Sequence, residues 1–149
     1  MLNLETWVSL GSLGMAVMFA ALMISFYLFL VGPDAKGPQI FVDPQGVLIQ
    51  IISISGVPSL ILAGTVFGLQ KTYAVKYTAI ILIVSGIILI VSMAIVLTIV
   101  PKINRNYFFG GLDIVPYVFI VSGIAIACLS AYSLNRSRLS RRSLEDENR

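Results

Sequence analysis

The chain has 149 residues, 58% of them hydrophobic and 11% charged, with a formal net charge of +3. Its mean hydropathy of +0.96 lies far above that of an average soluble domain and identifies an integral membrane protein. Much of the basic excess sits in the last fourteen residues, so the charge reports membrane topology before nucleic acid, and no nucleic-acid partner is expected.

Four stretches are free of charge and long enough for the roughly 20 residues that a bilayer core demands. They are residues 6–31, 45–70, 77–100 and 114–134, and every Lys, Arg, Asp and Glu falls outside them. An ionised side chain at mid-bilayer costs about 2.5 to 3.5 kcal/mol on insertion scales, so this partition predicts four transmembrane helices. The expected class is an all-α membrane protein, with a four-helix domain over residues 1–135 and a charged tail over 136–149.

The first span follows Glu5 and is too long for the apolar core of a secretory signal, so it is expected to remain as a span. Its small residues Ser12, Ala16 and Ala20 recur every fourth position, a pattern that lets helix backbones approach. Met15, Met18 and Met23 read as flexible core packing, since no Cys or His stands near them to complete a thioether metal site.

After a Gly- and Pro-rich connection, GPDAKGPQIFVDP, comes the most unusual stretch, QIISISGVPSLILAG at residues 50–64. Pro58 leaves the Ile54 carbonyl without its usual donor, which predicts a kink just before it, with Ser53, Ser55 and Ser59 placed to help satisfy the freed group. Gly56, Gly64 and Gly68 are spaced by multiples of four, including a true G-x-x-x-G, and predict close helix packing inside the bundle or against other subunits. Gln50 reads as an interhelical or headgroup hydrogen-bonding residue.

The hairpin KTYAVK leads to a third span of nearly continuous Ile, Val and Leu, suited to lipid or a broad apolar partner. Pro101 ends it and opens a second long connection, PKINRNYFFGGLD. Trp7, Tyr73, Tyr77, Tyr107, Phe108 and Phe109 fall where aromatic rings favour the headgroup layer, and the last three are candidate partner contacts. Asp113, three residues before Pro116, reads as the N-terminal cap region of the fourth span. That span repeats the small-residue pattern with Gly123, Ala127 and Ala131, and Cys128 among its alanines reads as a small buried residue.

Beyond Leu134 the composition switches to NRSRLSRRSLEDENR, expected to form a frayed helical extension on anionic headgroups. Seven basic residues (Lys71, Lys76, Arg136, Arg138, Arg141, Arg142, Arg149) lie on the side of the termini, against Lys36, Lys102 and Arg105 on the other. The positive-inside rule then puts both termini in the cytoplasm and the chain in the plasma membrane.

The absences bound the chemistry. With no histidine, the chain cannot by itself build an imidazole-ligated haem, copper, zinc or iron site, and its single cysteine cannot form an internal disulfide. The spans hold no ionisable carboxylate, Lys or Arg of the kind that proton-driven rotors and retinal pumps require. Asp34, Asp43 and Asp113 have no spacing that matches a cation-binding loop. Catalytic, cofactor and metal residues are therefore not expected.

In size, span count, the Ile-rich third span with TIVPKINRNYFFGG after it, and the Arg/Ser tail, the chain resembles the small accessory transmembrane subunits of archaeal ammonia monooxygenase, in the copper membrane monooxygenase family. The resemblance implies a non-catalytic structural subunit of a multi-subunit membrane oxidoreductase, with other integral membrane subunits and lipids as partners. It carries over no metal ligand. The alternative is a small homo-oligomeric channel or carrier in which Gln50, the serines and the Pro58 kink line a path.

Overall fold

The computed structural model describes residues 4–69 and 76–147, with side chains through Arg136. Four of its helices are long and apolar enough to cross a membrane: Leu4–Val31, Pro44–Leu69, Lys76–Lys102 and Gly111–Arg136. A bilayer core offers no partner to a free N–H or C=O, and a helix satisfies both within one segment, so these charge-free runs form helices. Among the described residues there is no strand.

The first span is α1 (Leu4–Val31), and the second comprises α2 (Pro44–Ile51), a π turn (Ile52–Gly56) and α3 (Val57–Leu69). The third is α4 (Lys76–Ile99), extended by a 3₁₀ turn over Val100–Lys102, and the fourth is α5 (Gly111–Glu147). The fourth span and the proximal part of the charged tail are thus one continuous helix. An even number of spans puts both chain ends at one end of the bundle, the terminal end. The connections 32–43 and 101–110 share the other, distal end.

Local chemistry sets the boundaries. Gly32 stops α1 in the left-handed region (φ 63°), and the amide of Gly37 (φ 95°) donates to the Val31 carbonyl at 3.1 Å. A side chain at Gly32 would collide with the Gly37 carbonyl oxygen, so this return requires glycine twice over. Asp43 caps α2, its Oδ1 accepting from the Gln45 amide at 3.2 Å with Pro44 in the first turn. Asp113 is not the cap of the fourth span as expected: the helix begins at Gly111, and the Leu112 amide donates to the Phe109 carbonyl at 3.0 Å. Asp113 instead lies in the first turn, where its charge still complements the helix dipole.

The spans do not contribute equally to the core. The first and third form the central pair, the second packs on the first, and the fourth packs on the third. Phe19, Met23, Tyr27 and Leu30 from α1 and Leu82, Leu89, Met93 and Val96 from α4 are buried in one cluster. The third span, read from its sequence as suited to lipid or a broad apolar partner, is a central element that packs on both the first and the fourth spans. Most of its small and polar residues turn inward, Thr78, Ala79, Ser85, Gly86 and Ser92 among them, while Ala94 and Thr98 face out with Ile80, Val84, Ile87, Val91 and Ile95.

Candidate functional site: packing seams and an open helix face

The proline of the second span is met by a change of helical register. Immediately before Pro58 the helix widens into the π turn, where the Val57 amide donates to the Ile52 carbonyl. Such a turn accommodates the missing donor within the segment itself. The serines divide their work differently from the expectation that all three would serve the freed carbonyl. Ser55 is buried and donates to the Ile51 carbonyl at 2.9 Å, Ser53 faces outward, and Ser59 reaches across to the first span.

That cross-link is reciprocal. Ser59 Oγ donates to the Ser12 carbonyl at 3.2 Å, and Ser12 Oγ donates to the Ser59 carbonyl at 3.0 Å. Nearer the terminal end, the hydroxyls of Thr6 and Thr78 share a hydrogen bond at 3.2 Å, joining the first and third spans. Short hydroxyls suit this role because they let the backbones come close and still satisfy each other where water is scarce. Ser12, Ala16 and Ala20 are all buried, so the small face of α1 is spent inside the bundle.

The glycines fall into two groups. A Cβ on Gly56 would stand 2.8 Å from Phe119 Cζ and 2.9 Å from Phe19 Cε2, so this glycine makes room for the ring pair Phe19–Phe119, whose centroids are 4.3 Å apart. Gly123 meets Gly86: a Cβ on either would lie within 2.9 Å of the other's carbonyl oxygen, and the amide of Ala127 is also against Gly86. This is a backbone-to-backbone crossing of the third and fourth spans. Gly86 was missed in the sequence because it is alone on its helix, with no small residue four positions away on the same face to flag it. Gly64 and Gly68 differ: both are exposed, and nothing lies within 4 Å of an added Cβ. Ala131 also faces out.

One further expectation is corrected. Cys128 is exposed on the outer surface of the fourth span, because the inward positions of this helix are taken by Gly123, Ile126 and Ser130. Of the aromatic trio in the distal connection, only Phe108 projects, at 45% exposure. Tyr107 is half-buried over Gly37, and Phe109 is half-buried over Gly111 and the core. The larger exposed apolar group at that end is Ile40–Phe41, with Phe41 at 95%. The signal was available, as IFV sits inside a Pro- and Gly-rich loop with no partner residue nearby in sequence.

Trp7 and Tyr77 face outward near the terminal end, as a headgroup belt requires, while Tyr73 and the hairpin around it lie outside the described residues. Met23 is buried and Met18 faces out, so the methionines of α1 do not converge. Gln50 is exposed on the outer side of the second span. At the distal end Tyr27 is fully buried, and its hydroxyl donates to the Leu112 carbonyl at 2.6 Å, tying the first span to the start of the fourth. Asp113 beside it has one carboxylate oxygen buried with no hydrogen-bond partner. Among the described residues, no three of His, Cys, Asp or Glu gather closely enough to hold a metal ion.

The arrangement can join helices, and on one side it leaves a small-residue face open. Along the second span, Gln50, Ser53, Val57, Ile61, Gly64 and Gly68 follow one another at steps of three or four and are all exposed. No family model, curated protein or solved structure matches the chain.

Proposed function

We propose that the chain is a non-catalytic accessory subunit of a multi-subunit membrane oxidoreductase, packing against other integral membrane subunits, and that the complex is an ammonia monooxygenase. The oxidoreductase assignment rests on the sequence resemblance. The packing role is supported by one structural observation: the G-x-x-x-G face of the second span, Gly64 and Gly68, is open on the outside of the chain's own bundle. Such a face suits close approach by another helix, and it offers lipid little side-chain surface in return. Exposed Phe41 and Phe108 at the distal end extend the surface on which neighbouring subunits would rest. In this reading the chain resides in the plasma membrane with both termini cytoplasmic, as its distribution of Lys and Arg favours.

The test is extraction of native membranes in a mild detergent, followed by a native gel and mass spectrometry of the band that holds this chain. Co-migration with a stoichiometric set of redox subunits is the expected result. Migration alone, as a small homo-oligomer, would overturn it.

A second reading, a homo-oligomeric channel or carrier, is favoured by the presence of Gln50 and Ser53 on the same outward stripe as the two glycines. Single cysteines at 50 and 53, in a Cys128→Ser background, separate the two: labelling by a membrane-impermeant thiol reagent from the aqueous phase supports a water-lined path, and protection supports a packed interface.

A further inference from the structure

The distal end carries six charged residues, three acidic and three basic: Asp34, Asp43, Asp113, Lys36, Lys102 and Arg105. Among the described residues, no carboxylate forms an ion pair with Lys102 or Arg105. Asp34 stands 4.0 Å from Lys36 in an exposed ion pair, Asp43 caps its own helix, and Asp113 turns one oxygen into the protein in the first turn of the fourth span. Among the described residues, Lys102 and Arg105 therefore have no ion-pair partner, and both are exposed within one short segment that follows the third span.

Arg105 also lines a cleft. A cavity of about 510 Å³ opens where the third span ends, walled by Val100, Pro101, Ile103, Arg105 and Phe108. This volume lies within the roughly 300–1,000 Å³ of small-molecule sites. Arg105 is the charged residue among those that line it, and Val100, Pro101, Ile103 and Phe108 are apolar. The two 3₁₀ turns that frame it, Val100–Lys102 and Arg105–Tyr107, are each held by their own backbone, and Asn104 caps the second through the Asn106 amide at 3.1 Å. The cleft is thus a formed feature of the connection, and the third span of 27 residues is long enough to bring it to the headgroup layer.

We propose that this cleft binds the phosphate of an anionic phospholipid in the leaflet that meets the distal end. Arg105 presents a planar fork of donors that matches a phosphate in bidentate fashion, and Lys102 adds a second cation on the adjoining turn. Val100, Pro101, Ile103 and Phe108 form a wall for the glycerol and first methylenes, which a free phosphate ion would leave unused. The inference is independent of which complex the chain joins.

The experiment is native mass spectrometry of the purified full chain in detergent, titrated with phosphatidylglycerol or with phosphatidylcholine of the same acyl chains. The wild type is expected to retain phosphatidylglycerol preferentially. Arg105→Gln should lower that preference about fivefold and Lys102→Gln somewhat less, the magnitude expected for one cation at a membrane surface. Arg105→Lys should recover part of it, and Arg136→Gln at the opposite end should lose little. Both Arg105 and Lys102 are exposed, and circular dichroism of each variant checks that the helices are intact. Equal retention of the two lipids by the wild type, or loss of the preference in Arg136→Gln with none in Arg105→Gln, would overturn the site. Displacement of the lipid by millimolar inorganic phosphate would assign the cleft to the free ion and overturn the lipid reading.

Discussion

Two glycine-bearing faces of the same bundle behave in opposite ways. At the crossing of the third and fourth spans, Gly86 and Gly123 bring two backbones into contact, each barring a side chain on the other. On the second span, Gly64 and Gly68 carry the more recognisable motif, yet nothing lies within 4 Å of a Cβ added at either. The difference teaches that a small-residue pattern along one helix states a capacity for close approach, whereas use of that capacity depends on which helix comes to lie beside it. The contact formed at this crossing sets Gly86, the lone glycine of its helix, against Gly123 and Ala127 of the fourth span, a pairing of which a single-helix pattern shows one half.

The comparison breaks or sharpens most directly through stability in detergent, measured by denaturant-induced unfolding of the purified chain. The largest effect is expected at the crossing: Gly86→Ala or Gly123→Ala places a methyl group under 3 Å from a carbonyl oxygen that cannot rotate away, and should cost about 2 to 3 kcal/mol. An unchanged midpoint for both variants would mean that the third and fourth spans do not cross there. Gly56→Ala meets ring atoms that can tilt, so a smaller loss of about 1 to 2 kcal/mol is expected, recovered in part by Phe119→Leu. If Phe119→Leu gives no recovery, the ring pair is not what Gly56 accommodates.

Tyr27→Phe removes the hydroxyl that ties the first span to Leu112 and should cost about 1 kcal/mol, with little change in helix content by circular dichroism. Ser59→Ala comes next, at about 0.6 kcal/mol, the average measured for interhelical hydrogen bonds in a membrane. A double-mutant cycle with Ser12→Ala should show coupling, and strict additivity would argue that the two serines act separately. The smallest effect on the isolated chain is expected from Gly64→Leu and Gly68→Leu, within about 0.5 kcal/mol, because the added side chains enter open space. In the proposed complex, the same variants should release the chain from its partner subunits on a native gel. Equal loss of stability at both glycine faces would erase the distinction between them.

Much of the architecture was readable in the residues. The span limits agree with the helices within a few positions because charged residues cannot enter the hydrocarbon core without large cost, so their positions mark the ends. Pro58 announced an irregular second span because the missing donor is a property of the residue itself. Ser59 was read as serving the carbonyl freed by Pro58, and its true partner on the first span was not legible, since that pairing crosses 47 positions of sequence. The inward turn of the third span escaped notice because its Ser and Gly are few among many aliphatics, and a helix this apolar has no strong periodicity to orient it.

Tyr107 and Phe109 illustrate the limit at the candidate surface. Aromatic residues in a distal connection fit a headgroup belt or a partner contact equally well by composition. Folding sets Tyr107 over Gly37 and Phe109 over Gly111, each half-buried, and leaves Phe108, Ile40 and Phe41 to face outward.

What the sequence by itself determined is the class of protein: four charge-free segments of sufficient length, polar connections between them, and no histidine from which to build a metal site. These are properties of individual residues in a bilayer and need no knowledge of neighbours. Only the tertiary structure decided the rest: that the first and third spans form the core, that Gly86 meets Gly123, that Ser12 and Ser59 exchange hydrogen bonds, and that Gly64 and Gly68 are left open. The physical reason is that all four helices are apolar on every side, so hydrophobicity alone cannot orient them. Close packing and the pairing of a few hydroxyls choose which face turns inward.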